Sequence, residues 1–285
     1  MAWRNWSVRI GGIALLLLLA IGLAAPWLGT VDPSLFDAAS RDLRPMQSGE
    51  ITTFEGETLK HRFLMGSDSF GRDVYSRVLY GARVSLIIGL SCALAALACG
   101  IVLGLAAGTL RWLDGPLMRV MDGVMAIPAI LIAIALVALW RASLPAVILA
   151  IAIPEIPRVT RLVRSLVLTI REEPYVEAAV SLGTSTAKIM FGHILPNTAA
   201  PLIVQGTYIV AFAILTEAAL SFLGVGLPPD IPTWGNIMAE GRVQFVAYPH
   251  NVFFPGVFLA VTVLAVNMLG DGLRDTLDPK MAKRV

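Results

Sequence analysis

The sequence predicts an all-α integral membrane protein with six transmembrane helices, and three observations predict it. Of its 285 residues, 56% are hydrophobic and 15% charged, whereas soluble domains carry about 25% charged residues. Six stretches, 10–28, 84–110, 120–140, 144–162, 199–224 and 252–269, are apolar over close to the ~20 residues that a helix needs to cross a bilayer. The basic residues are distributed unevenly between the intervening loops.

The first stretch follows Arg4 and Arg9 and ends at Ala24-Ala25-Pro26. Proline after a small residue is a poor cleavage context, so the stretch reads as a retained span rather than a leader. Residues 29–83 read as an outer segment. Asp32-Pro33, Arg44-Pro45 and Ser48-Gly49 are turn signals, and 47–62 is polar enough for a small hairpin or an irregular loop. From Asp73 onward Val74, Val78 and Leu79 recur at helical spacing with Arg72, Arg77 and Arg83 between them. That pattern predicts an amphipathic helix at the outer interface, feeding the second span.

In the second span Ala96, Gly100, Gly104 and Gly108 recur every four residues. Small residues at that spacing admit another helix closely, either within this chain or on a second membrane subunit. Cys92 and Cys99 lie on one face of the same span and read as reduced packing residues. The third span begins near Asp122 and carries Pro128. The fourth carries Pro145, Pro154, Glu155 and Pro157, which predicts a distorted inner end. The fifth carries Pro201, Gln205 and Glu217. A proline- and glycine-rich outer loop with Trp234 follows, and the sixth span contains Asn267 before a short cationic tail.

With the N-terminus inside, the inner segments hold Arg4, Arg9, Arg111, Arg119, Arg158, Arg161, Arg164, Arg171, Lys188, Arg274, Lys280, Lys283 and Arg284. The two short outer loops then hold only Arg141 and Arg242. Both termini are therefore expected to be cytoplasmic. The net charge of +2 is topological and gives no reason to expect nucleic acid.

Little in the chain points to catalysis. His61, His193 and His250 lie in three different segments, without metal-ligand spacing. The run from Gly183 to Lys188 lacks the second glycine of a phosphate-cradling loop, and no nucleophile elbow is present. Neither a cofactor nor a metal is expected. Glu217 is an intramembrane ionisable group and so a functional candidate by default. It either lines a pathway or makes a structural hydrogen bond or ion pair near the outer end of its span, and the second reading is preferred.

The most informative stretch is polar and lies between spans four and five: REEPYVEAAVSLGTSTAKIMFGHILPN, residues 171–197. Pro174 suits a first helical turn, and Glu172, Glu173 and Glu177 suit the positive end of the helix dipole. Tyr175, Ala178, Ala179 and Leu182 share one face. Gly183 can end the helix in the left-handed conformation, Thr184 or Ser185 can cap a second one, and Pro196 stops it. Such a loop is either a solvated hairpin or a docking element with Glu177 as charged contact, Ala178 and Ala179 as a close-approach face and Gly183 as the bend.

This loop resembles the EAA loop of ATP-binding-cassette importer permeases, with Glu177, Ala178, Ala179 and Gly183 matching, followed by Ile194-Leu195-Pro196. GSDSFGRDVYSRVLYGARVSL, LSFLGVGLPPDIPTWGNIMAEGR and NMLGDGLRDTLDP resemble the dipeptide, oligopeptide and nickel branch, in the order of its second permease. The stretch AIPEIPR, which ends at Arg158, departs from that pattern.

The resemblance implies a type I importer permease fold. Residues 1–83 would form the first span with an outer loop and interfacial helix, 84–275 the permease domain, and 276–285 a cytoplasmic tail. It implies a bacterial inner-membrane location and three kinds of partner besides the lipid bilayer: a second homologous permease, two cytoplasmic ATPases that hydrolyse the ATP, and an outer substrate-binding protein. It implies peptides as cargo, with nickel chelates, glutathione or opine-like compounds as the alternative. An ion-driven secondary transporter is the rival of another class, but it would usually show inverted repeats, and none is evident.

Overall fold

The computed structural model describes residues 5–140 and 142–277. Arg4, Arg141 and almost all of the tail, including Lys280, Lys283 and Arg284, lie outside the described residues.

Helix α1, Trp6–Ala24, starts at Asn5, whose side chain accepts from the Ser7 N–H at 2.9 Å. Pro26 follows in a short 3-10 turn. The polar stretch after it forms an antiparallel hairpin of β1, Gln47–Thr52, and β2, Thr58–Phe63, in the register Gln47↔Phe63 to Thr52↔Thr58. Helix α2 then runs from Val74 to Thr109, 36 residues or about 54 Å, capped by Asp73, which accepts from the Ser76 N–H at 2.9 Å. The expected interfacial helix and second span are therefore one unbroken element. Its first turns are covered by protein, so that Arg77 is buried where an interfacial arginine would be half wet.

Helices α3, Arg111–Met125, and α4, Ala129–Leu139, meet at 87° ahead of Pro128. Helix α5, Leu144–Ala152, passes through a 3-10 turn at Ile153–Glu155 into α6, Ile156–Arg171. The expected distortion is thus present, placed by Pro154 and Pro157. The inter-span loop contains α7, Pro174–Ser181, and α8, Thr186–Ile189. A π-helical turn at Met190–Ile194 leads on into α9, Leu195–Phe222. Last come α10, Trp234–Gly241, and α11, His250–Leu277.

The six spans expected from hydropathy resolve differently. Among the described residues four helices are long and apolar enough to cross a membrane, and the bent α3–α4 pair taken as one span makes a fifth. The stretch 144–162 is not a sixth by that measure. Its helical run is split into pieces of 9 and 16 residues, and Glu155, Arg158 and Arg161 interrupt its apolar character.

The stripe of small residues on α2 meets α6 of the same chain. A Cβ on Gly100, Gly104 or Gly108 would lie 2.5, 2.5 and 2.6 Å from atoms of Val159, Val163 and Val167. Of the two contacts left open by the spacing, the internal one is formed. Van der Waals packing of this kind replaces the hydrophobic drive that lipid removes. Gly11 of α1 and Gly272 of α11 bring those two helices together in the same manner. At the opposite end from α7, Trp234 of α10 is buried against Val74, Val78 and Leu79, and its Nε1–H donates to the Val78 carbonyl at 3.1 Å.

Candidate functional site

The loop between α6 and α9 is built as punctuation predicts, with two corrections. Pro174 opens α7. At its end the Gly183 N–H donates to the Val180 carbonyl at 2.9 Å and the Thr184 N–H to the Ala179 carbonyl at 3.1 Å. These are the two bonds of a Schellman motif, which needs a left-handed residue between them. Gly183 supplies it with φ +78°, and nothing lies within 4 Å of where its Cβ would stand.

The first correction concerns the small-residue face. Ala179 is buried with Val176 among Val163, Val167, Ile170, Ile189 and Ile194. It braces the loop on the bundle. The free face carries Tyr175, Ala178 and Leu182, the last 85% exposed, with Glu177 exposed beside them. The single apolar face read from spacing is split because α7 packs on α6 by residues i and i+3, offset by one from the predicted stripe.

The second correction concerns Pro196. It does not stop the second helix but stands in the first turn of α9. The π turn just before it widens the backbone where the proline removes a donor and crowds the preceding turn. The loop is further tied down by the Arg171 guanidinium, which donates to the Gly108 carbonyl at 2.9 Å. Asn197 donates to the His193 carbonyl at 2.6 Å. A cleft of about 610 Å³ opens between the end of α2 and the loop, with Arg171, Glu172, Glu177, Thr186 and Met190 among its lining.

Glu217 lies at the far end of α9, fully buried. Its Oε1 accepts the hydroxyls of Ser221 and Thr233, both at 2.8 Å. The Thr233 oxygen in turn accepts from the Asn236 N–H at 3.1 Å, capping α10. The carboxylate thus joins α9 to the segment leading into α10. Cys92 is buried and Cys99 exposed.

One cluster escaped the sequence reading. Arg72 bonds Asp68 at 2.7 Å and also pairs with Glu240, while Arg77 reaches Glu240 at 3.3 Å and the Pro229 carbonyl at 3.1 Å. The segment before α2 is thereby locked to α10 and the loop ahead of it. Burial pushes the Glu240 carboxyl up, against the pull of the Arg77 and Arg72 guanidiniums. The signal was present, since two of the quoted motifs carry these charges, but their sequence separation of 168 residues between Arg72 and Glu240 hid the pairing.

A bundle of apolar helices with one helical loop braced on its end and presenting a free face is the architecture of a polytopic membrane permease. The chain belongs to the family described as binding-protein-dependent transport system inner membrane component, whose model matches residues 100–283. It is 48% identical over 283 residues to a probable peptide ABC transporter permease protein of Sinorhizobium fredii, covering 99% of this chain and 92% of that one. It is 42% identical over 284 residues to a di/tripeptide transport system permease protein of Pseudomonas aeruginosa, covering 98% and 91%. Against a glutathione transport system permease protein of Pectobacterium atrosepticum the identity is 40% over 288 residues, covering 98% and 91%. Among solved structures a chain of the inward-facing MetNI methionine ABC transporter aligns with TM-score 0.58 and 17% identity, over 71% of this chain and 96% of that one. The fold is that of a type I ABC importer permease, as the sequence led us to expect.

Proposed function

We propose that this permease forms part of the translocation pathway of an ATP-driven importer of di- and oligopeptides. The observation that carries the reading is the α7–Gly183–α8 loop. It is rigidly braced on the core through Val176, Ala179, Ile189 and Ile194, while Tyr175, Glu177, Ala178 and Leu182 stay free. A rigid element with a free face transmits force in both directions. Membership of an inner-membrane transport family and likeness to peptide permeases support the cargo class.

On this reading the loop lies in the cytoplasm with both termini, and it seats in one of two ATPase subunits. A second, related permease completes the pathway, and an outer binding protein delivers the peptide. ATP binding closes the ATPases and moves the loop. Helices α6 and α9, continuous with it, then rock the pathway from inward-open to outward-open. Hydrolysis, performed by the partner subunits, resets it. Moving such an equilibrium from 1:99 to 99:1 takes about 5.5 kcal/mol of differential binding, which ATP and subunit closure are placed to supply.

The test is reconstitution of the importer with Glu177→Lys or Gly183→Leu. Each should insert normally and hydrolyse ATP, yet lose most ATP-dependent peptide uptake. Wild-type uptake in both variants would overturn the role of the loop.

A further inference from the structure

Resting on the importer reading above, we propose that Arg158 faces the water-filled pathway and binds the carboxylate of the passing peptide, with Glu155 as its positioning residue. From Leu144 to Arg171 the chain is helical apart from the 3-10 turn, a run of roughly 42 Å at 1.5 Å per residue. Arg158 lies near its middle, next to Val159, which meets Gly100 nine residues short of the end of α2; it therefore stands within the bundle and not in the inner loop to which the hydropathy pattern assigned it. Its side chain is 40% exposed, and Glu155 Oε1 lies 3.3 Å from its Nη1. The Phe212 ring of α9 sits 5.5 Å from the guanidinium carbon. Glu155 is fully buried, and neither of its oxygens takes a hydrogen bond from another described residue.

A charged side chain exposed on a membrane-embedded bundle does not face lipid, where it is costly. It faces water or a protein group of opposite charge. The surroundings of Arg158 favour water. Arg161 and Arg164 follow it at three-residue steps down the same face of α6 and pair with Asp122 and Asp114 of α3. Arg161 and Asp122 are 45% and 58% exposed. A line of exposed charges therefore runs from the middle of this helical run toward the end that carries the α7–α8 loop. Two of its arginines are neutralised by α3. Among the described residues Arg158 is matched only by a glutamate behind it, and its planar fork of donors is left for a bidentate acceptor. A peptide carries such an acceptor at its C-terminus. Glu155 and the Phe212 face hold the guanidinium in place between cargoes, and the 3-10 turn puts the carboxylate beside Arg158.

The experiment uses the whole importer in inside-out membrane vesicles. In a background with Cys92 and Cys99 replaced by serine, Arg158→Cys should react with a membrane-impermeant methanethiosulfonate in the absence of nucleotide. That reaction should slow at least tenfold when ATP and vanadate trap the outward-open state. No reaction in either state overturns the proposal.

In right-side-out vesicles supplied with binding protein and a mixture of di- and tripeptides, Arg158→Gln should cut uptake at least tenfold. Arg158→Lys should restore part of it. Uptake by Arg158→Gln at the wild-type rate overturns the proposal, as does loss of the second permease from purified Arg158→Gln, which would place the arginine at a subunit contact. Wild-type vesicles that take up no peptide with ATP present overturn the importer reading itself, a result separate from normal uptake in the variant.

Discussion

Gly104 of α2 and Val163 of α6 approach so closely that a Cβ on the glycine would stand 2.5 Å from the valine Cβ and 2.8 Å from the Thr160 carbonyl oxygen. The second atom belongs to the backbone and cannot turn aside. Overpacking of a tight core costs roughly 1–3 kcal/mol, and here the whole α2–α6 seam would have to part. Gly104→Leu should therefore lower the melting temperature of the detergent-solubilised protein by several degrees or abolish its accumulation. Gly123→Leu should leave it unchanged, because nothing lies within 4 Å of that position. Equal melting of the two would refute the seam as a determinant of stability.

At Gly183 the expected effect is conformational rather than steric. An L-residue in the left-handed region costs about 1–2 kcal/mol, with asparagine the best tolerated. Gly183→Asn should keep both α7 and transport. Gly183→Val should fray the end of α7, seen as faster hydrogen exchange at the Thr184 amide, which donates to Ala179. Unchanged exchange in the valine variant would count against the Schellman geometry.

Glu217 is expected to act through structure rather than through cargo. Thr233→Val removes one of its two hydroxyl donors and should cost on the order of 1 kcal/mol. A double-mutant cycle with Glu217→Ala should show coupling of similar size, with the profile of peptides taken up unchanged. A changed profile would move Glu217 into the pathway.

Removing Glu240 leaves the buried Arg77 without its carboxylate partner and Arg72 with Asp68 alone. Breaking a buried pair from one side typically costs about 3–5 kcal/mol. Glu240→Ala should thus loosen the segment from Leu227 to Thr233, read as new protease cleavage there, while Arg77→Met combined with Glu240→Met, which keeps the Arg72–Asp68 pair, should recover part of the loss. Identical digestion of wild type and Glu240→Ala would show that Trp234 packing alone holds this end.

On the hairpin side, Asp37 accepts the Thr52 hydroxyl at 2.6 Å and the Ala39 N–H at 2.9 Å. These two donors hold its carboxyl below the usual carboxylate range. The folded value is lowered, so its contribution is present above the unfolded pKa of about 3.9 and is lost as pH falls through the folded value. Protection of the Ala39 amide, relative to its intrinsic exchange rate at each pH, should fall on acidification below about pH 4 in wild type and change less in Asp37→Asn. The same acid response in both would remove Asp37 from that account.

The features legible in the amino-acid sequence were those encoded within a few residues of one another. Apolar runs marked α1, α2, α9 and α11, because crossing a bilayer is a property of a contiguous segment. The Gly183 bend was legible because a helix end needs one left-handed residue at one place. Proline placed the break between α5 and α6 for the same local reason. What α7 buries was not legible. Ala179 faces inward and Ala178 outward because of how α7 lies on α6, and helical spacing alone cannot orient a short helix. Nor was the partner of the Ala96–Gly108 stripe, since small residues announce close approach without naming the neighbour. The pairing of Arg72 with Glu240 and the capture of Glu217 by Thr233 depend on α10 folding back over α2 and α9. Tertiary structure alone decides such contacts, because the cost of burying a charge is settled by groups distant in sequence that happen to meet it.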